Sequence, residues 1–188
     1  MSALPFPDPA LTHGSVLLRP WRESDVPAIV SACRDPEIPR FNQFVPPGYT
    51  EADAREWLDG LEPKRLEVQS LALAVAQADT DAVAGSIAAT VNARQRLASV
   101  GYWLAPEARG KGYMTTAVRL LCGWLFDELA MDRVQLTTAP ANRPSQAVAS
   151  RCGFKQEGHL RSYLYYGYRD ERSDALMWSL LPGELTRE

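Results

Sequence analysis

The sequence has few of the residues that most often bind metals, and this scarcity limits the chemistry available to it. Its 188 residues include two histidines and three cysteines, and no two cysteines form a Cys-x-x-Cys pair. A zinc site made of several histidines or of clustered cysteines is therefore excluded, and we predict that the protein binds no metal. The odd number of cysteines, two of which fall in apolar helical patterns, indicates buried free thiols and a reducing compartment.

Long apolar runs and an excess of basic charge are also missing. The longest all-apolar stretch, Leu71 to Ala76, is far shorter than the roughly 20 residues that a helix needs to span a bilayer. Residues 1–14 contain three prolines and an aspartate, but no apolar segment like that of a secretory signal. The formal net charge of −3 argues against broad nucleic-acid binding, which needs a basic face. We therefore expect a cytoplasmic protein that binds neither membranes nor nucleic acids.

The apolar periodicity predicts a single α+β domain over residues 1–188, long enough to bury a sizeable core. We place the core at about 15–181 and a flexible tail after residue 182. Thr50 precedes a helix that has Asp53 at its third position, as in a capping box. The predicted elements are, in order, a strand at 15–19, a helix from about 23, a short helix at 37–42, a helix at 50–67, strands at 70–77, 83–92 and 97–105, a helix at 115–129, a strand at 134–139, a helix at 142–152, and strands at 154–165 and 172–180.

A basic, glycine-rich turn lies between the fourth predicted strand and the long helix after it. Residues 108–117 read ARGKGYMTTA, which places two glycines and two cations directly before the helix. Backbone N–H groups at such a turn form an anion site, and glycine permits both close approach and positive φ. The turn is not a Walker A loop, because Lys111 is followed by Gly-Tyr rather than by Ser or Thr. It is not a Rossmann fingerprint, because Thr115 stands where the third glycine belongs.

Four segments of the chain, taken in order, carry a recognisable pattern. Residues 109–114 fit the pattern (Arg/Gln)-x-x-Gly-x-(Gly/Ala), except that Met114 replaces a small last residue. Residues 141–154 fit Asn-x-x-Ser…Ala-x-x-x-Gly-Phe, and residues 157–170 fit Glu-Gly-x-x-Arg…Asp. Residues 17–29 fit an opening Leu-Arg followed by a distant Asp. In sequence and spacing these segments resemble the GCN5-related N-acetyltransferases (GNAT superfamily), and specifically their RimJ/RimL-like branch.

The resemblance implies a GNAT fold, whose central mixed, mostly antiparallel sheet is splayed at the fourth strand and has helices on both faces. It also implies that the anion is the pyrophosphate of acetyl-coenzyme A (acetyl-CoA), the acetyl donor. Tyr102 and Trp103 are then expected beside the acyl end. The residues implied to bind acetyl-CoA are Trp103, Leu104, Arg109, Gly110, Lys111, Gly112, Tyr113, Met114, Thr115 and Asn142.

Two residues are candidates for proton transfer in such a reaction. Ser145 is implied to lie near the thiol, where its hydroxyl would assist the departing thiolate; it could instead only support the start of a helix that Asn142 caps. Glu157 is the carboxylate best placed by motif to take a proton from the attacking ammonium. Glu37 and water remain alternatives to Glu157.

The predicted function is the direct transfer of an acetyl group from acetyl-CoA to a primary amine. That amine could be a protein or peptide N-terminus or a small molecule such as a polyamine, an amino acid or an aminated antibiotic. Residues 34–50 and 163–168 are implied to flank the acceptor cleft and to set its selectivity. The alternatives are a non-catalytic acyl-CoA-binding module and a structural or partner-binding domain. A homodimer is left open, as is the use of longer acyl-CoAs.

Overall fold

An eight-stranded sheet runs through the protein in the computed structural model, which describes residues 3–67 and 70–186. All neighbouring strands are antiparallel except β5 and β6, which confirms the predicted mixed, mostly antiparallel sheet of an α+β fold. The order across the sheet is β1-β2-β3-β4-β5-β6-β8-β7. The strands are β1 (Leu11–His13), β2 (Val16–Arg19), β3 (Ser70–Gln77), β4 (Val83–Asn92), β5 (Leu97–Leu104), β6 (Arg133–Thr138), β7 (Lys155–Tyr166) and β8 (Glu171–Leu180).

The helices lie close to their predicted positions, with one division that was not predicted. They are α1 (Val26–Cys33), α2 (Glu37–Phe41), α3 (Glu51–Asp59), α4 (Leu61–Glu67), α5 (Tyr113–Asp127) and α6 (Arg143–Arg151). The capping box at Thr50 and Asp53 is confirmed. The helix predicted at 50–67 is two helices that meet at Gly60, because Pro63 has no N–H group to continue the hydrogen-bond ladder back to Asp59.

The structure adds one strand near the start of the chain, whereas the flexible tail expected after residue 182 stays a prediction. Leu11–His13 forms an extra strand that pairs with β2 across a turn at Gly14, whose φ is +55°. Three residues are too few to show an alternating pattern, so this strand was not predicted. Beyond residue 182, the Thr186 N–H donates to the Cys152 carbonyl (3.1 Å).

The two faces of the sheet carry separate hydrophobic clusters. On one face, side chains of β3 and β4 pack against Val118 and Leu121 of α5, and α6 completes this layer. On the other face, Ile29 of α1 and Ala54 of α3 belong to a second cluster, which Trp103 of β5 contacts. The predicted helices on both faces are therefore present. Among the described residues, no helix is both long and apolar enough to cross a membrane.

All three cysteines are buried and free, as predicted. Burial raises the pKa of the Cys33 thiol to about 12 and that of the Cys152 thiol to about 11. Such thiols stay protonated and unreactive at neutral pH, so they belong to the core.

The sheet opens between β5 and β6. These parallel strands pair only where Leu97–Ser99 meets Arg133–Gln135. β5 nevertheless stays in register with β4 as far as Leu104, so the separation arises on the β6 side alone. The second half of β5 thus has one edge that β6 does not pair, which confirms the predicted splay. Because of the extra β1, the splayed strand is the fifth in the chain.

Candidate active site

The glycine-rich turn, here called the anion loop (residues 109–115), follows β5 and opens α5. Gly110 and Gly112 have φ values of +74° and +85°, which L side chains rarely adopt. A Cβ atom added to either glycine would meet no heavy atom within 4 Å. The glycines are therefore required by backbone conformation, and they leave open space in front of the loop.

The backbone of the anion loop presents unused hydrogen-bond donors. The six N–H groups from Gly110 to Thr115 have no acceptor among residues 3–67 and 70–186, and the first bond of the helix runs from Thr116 N–H to Gly112 O (3.1 Å). No side chain caps α5, which is 15 residues long. Its N-terminal N–H groups and dipole favour an anion, so the loop fits the predicted pyrophosphate of acetyl-CoA.

The two cations of the anion loop differ in their surroundings. The Arg109 guanidinium forms an ion pair with Asp35 and donates to the Leu104 carbonyl (3.1 Å). Lys111 is exposed. Arg109 is therefore engaged within the protein, and a direct contact with an anion, as the resemblance implied, stays a prediction.

The end of β5 presents different groups to the two faces of the sheet. The Ala105 N–H donates to the Ala84 carbonyl of the β4 side (2.9 Å), so by strand alternation the Leu104 N–H points towards the open edge. The Trp103 ring lies on the face of α1 and α3, where its centroid is 6.3 Å from that of Trp21. The Tyr102 side chain lies on the opposite face, towards α6.

Ser145 and Tyr102 meet across the opening of the sheet. Asn142 caps α6, and its Oδ1 accepts the Ser145 N–H (3.2 Å), as predicted for a helix cap. The Ser145 hydroxyl is not used in this cap; it lies 2.9 Å from the Tyr102 hydroxyl. Burial raises the pKa of Tyr102 well above its usual value, so the phenol keeps its proton at neutral pH. The Tyr102 hydroxyl also donates to the Ser145 carbonyl (3.3 Å), so the two residues form one hydrogen-bonded group beside the opening of the sheet.

Glu157, the predicted base, is not brought together with these residues. Its carboxylate accepts two hydrogen bonds from Arg133 (2.9 and 2.5 Å) and one from Ser179 (2.6 Å). Arg133 is the first residue of β6, whereas Asn142 follows its last, so Glu157 bonds to the opposite end of that strand. Hydrogen bonds from Arg133 lower the pKa of Glu157 to about 2, which makes it a poor proton acceptor at neutral pH.

Two features of the site were not predicted from the sequence. The partnership of Asp35 with Arg109 joins residues 74 positions apart, and no local pattern indicates it. The bond between Tyr102 and Ser145 spans 43 positions. Within the described part of the chain, no cluster of His, Cys, Asp or Glu could hold a metal ion, although the prediction that no metal binds stays a prediction.

Comparisons with known proteins identify the family and the fold. The family model described as an acetyltransferase (GNAT) domain matches residues 15–155. The chain is 42% identical over 89 residues to YdaF of Bacillus subtilis, provisionally named a ribosomal N-acetyltransferase, a match covering 47% of this chain and 48% of that one. It is 27% identical over 169 residues to an uncharacterised N-acetyltransferase of Bacillus licheniformis, with coverage of 89% and 93%. Among solved structures, Mycobacterium smegmatis RimJ in complex with CoA-disulfide superposes with a TM-score of 0.79 at 23% identity, covering 91% and 84%.

Proposed function

Because the chain belongs to the GNAT family and is a RimJ/RimL-like, acetyl-CoA-dependent N-acetyltransferase, we propose that it transfers the acetyl group directly to a primary amine. One observation carries this proposal: the six N–H groups of the anion loop, which have no acceptor in the described part of the chain, adjoin a strand whose edge is open. A donor anchored at this loop would lie along β5 with its reactive end between the two faces of the sheet.

Several residues are suited to hold the donor. The N–H groups of residues 110–115 would bind its pyrophosphate, and Lys111 would add positive charge. The open edge of β5 near Trp103 and Leu104 would pair with the amides of the pantetheine arm, and Asn142 would contact the same arm from the start of α6. Acetyl-CoA supplies an activated acetyl thioester.

The two faces of the sheet support a division of roles. Ser145, held by Tyr102, lies on the α6 face and would deliver a proton to the departing sulfur. The Leu104 N–H would polarise the acyl oxygen, since it points to the open edge. The amine would approach from the Trp103 face. Since Glu157 is ion-paired at the far end of β6, we assign removal of the ammonium proton to water.

The acceptor side favours a single amine over a polyamine. The centroid of the Trp21 ring lies 5.2 Å from that of Trp57 and 6.3 Å from that of Trp103, and the face of a tryptophan ring would attract one ammonium group. An extended polyamine needs several unpaired carboxylates, but Asp35 and Glu37 are paired with arginines. We propose that a peptide N-terminal amine is the acceptor.

Two measurements test this function. CoA or acetyl-CoA is expected to raise the melting temperature, while ATP and NAD at equal concentration are not, because ligand binding stabilises the folded state by mass action. Thiol release from acetyl-CoA should then be faster with short peptides than with spermidine or aminoglycosides. If CoA binds but no amine leads to thiol release from acetyl-CoA, the non-catalytic acyl-CoA-binding module is favoured. Equal shifts with all three nucleotides would identify a generic phosphate site.

A further inference from the structure

Arg109 joins three segments of the protein. Its Nη2 atom donates both to the Asp35 carboxylate and to the Leu104 carbonyl, the latter at 3.1 Å. The ion pair is partly shielded from solvent, with the side chain of Asp35 16% exposed and that of Arg109 39% exposed. The anion loop, the end of β5 and the segment after α1 therefore meet at one guanidinium.

Asp35 is itself held in a defined turn between α1 and α2. Its N–H donates to the Ala32 carbonyl (3.0 Å), and its carbonyl accepts the Ile38 N–H (3.1 Å). These bonds fix the main chain of Asp35 and tie it to the first turn of α2, so the ion pair links the anion loop to α2 through one short side chain.

α2 in turn holds the hairpin formed by β7 and β8. The Tyr168 hydroxyl donates to the Pro39 and Asn42 carbonyls, the latter at 3.2 Å. Phe41 packs against the small cluster that Leu164 and Tyr166 form on the hairpin. These contacts join the two segments that flank the proposed acceptor cleft.

We propose that Asp35 is a positioning residue which, through Arg109, sets the conformation of the anion loop and transmits acetyl-CoA binding to α2. This inference rests on the proposed function, since it takes the anion loop as the donor site. Arg109 then acts as a structural connection between the donor and acceptor sides, and its guanidinium need not touch the pyrophosphate.

The test is a double-mutant cycle on CoA binding, measured by calorimetry, with Asp35→Asn, Arg109→Gln and the double variant. Each single change should raise the Kd for CoA by about tenfold, a size common for coupling between sites. The double variant should bind like Arg109→Gln alone, because Asp35 acts only through Arg109. Asp35→Glu, which keeps the carboxylate, should recover part of the affinity.

Two controls separate positioning from stability. Asp81→Asn removes ion pairs to Arg19 and Arg22, so it should lower the melting temperature without changing the Kd for CoA. In the wild type, CoA should slow amide exchange at Arg40 and Asn42, whose N–H groups bond within α2, and Asp35→Asn should abolish this protection.

Any of three results would overturn the inference, provided that CoA still binds the wild type. The first is a Kd for CoA in Asp35→Asn equal to that of the wild type, and the second is a Kd in the double variant raised by the product of the two single effects. The third is a Kd in Asp81→Asn raised as much as in Asp35→Asn. A wild type that does not bind CoA would instead overturn the proposed function, and this inference with it.

Discussion

The anion loop and the surroundings of Glu157 make an instructive pair. The resemblance assigned a functional role to both, and both combine an arginine with the end of a strand. In the anion loop, six consecutive N–H groups have no acceptor among the described residues. Around Glu157, in contrast, the carboxylate, Arg133 and Ser179 bond to one another.

This difference distinguishes a site that can bind a ligand from a hydrogen-bonded group that stabilises the fold. The N–H groups at the start of a helix have no intrahelical partner, so a row of them that has no acceptor among the described residues and faces open space is suited to an anion. A carboxylate that already accepts three hydrogen bonds is poorly available to bind a substrate or to accept its proton. The comparison therefore predicts large functional effects at the anion loop, an intermediate effect at Ser145, and almost none at Glu157.

The largest effect is expected at Gly112. Gly112→Val places a branched side chain where the pyrophosphate would lie and strains a backbone with φ of +85°. Losing two hydrogen bonds to a charged group, each worth about 2 kcal/mol, should raise the Kd for CoA by about 1,000-fold in calorimetry. Gly183→Val is the matched control, because Gly183 has φ of +89° and equally open space. If both variants bind CoA like the wild type, the anion lies elsewhere.

An intermediate effect is expected at Ser145. Ser145→Ala keeps the α6 cap and the bond from the Tyr102 hydroxyl to the Ser145 carbonyl (3.3 Å), so losing the bond between the two hydroxyls should lower the free energy of unfolding by only about 1 kcal/mol. The turnover number should fall by about 100-fold, within the usual range for a positioned proton donor, while the Kd for CoA stays constant. Tyr102→Phe keeps the ring and removes the hydroxyl partner, so it should lower turnover in the same direction. Full activity in Ser145→Ala would remove Ser145 from the mechanism.

Much of the fold could be predicted because its signals are local. The capping box at Thr50, the cap at Asn142 and the paired glycines of the anion loop each depend on neighbouring residues. The division of the helix at Gly60 was also encoded locally, by Pro63, but the apolar pattern continued across it. Short β1 lay below the length at which alternation can be recognised.

The site could be predicted only in part because some of its contacts join distant segments. The anion loop was located from its motif, whereas the ion pair between Arg109 and Asp35 depends on how α1 packs beside β5. The low proton affinity of Glu157 on β7 likewise depends on Arg133 of β6 and Ser179 of β8, which only the folded sheet brings to it. A motif identifies a residue type at a position, but the partners that set its pKa come from the tertiary structure.

The smallest functional effect is expected at Glu157. This prediction tests whether a carboxylate that is fully hydrogen-bonded within the protein has no part in catalysis. Glu157→Gln removes the carboxylate but keeps its shape, so at neutral pH the turnover number should stay within about twofold of the wild type, as expected for a change away from the reacting groups. If Glu157 were the base, turnover would fall by about 100-fold or more, and the acidic limb of the pH–rate profile would disappear.

The stability of the same variant should depend on pH in a defined direction. Arg133 lowers the pKa of Glu157 from 4.5 to about 2, so the folded state gains stability above pH 4.5 and loses it as the pH falls towards 2. The wild type should therefore melt at a higher temperature than Glu157→Gln at pH 6, and the two curves should converge near pH 2. Ser179→Ala, which keeps the carboxylate and removes one of its donors, should retain most of this pH dependence. A constant difference between wild type and Glu157→Gln across the range would show that packing, rather than the ion pair with Arg133, accounts for the contribution of Glu157.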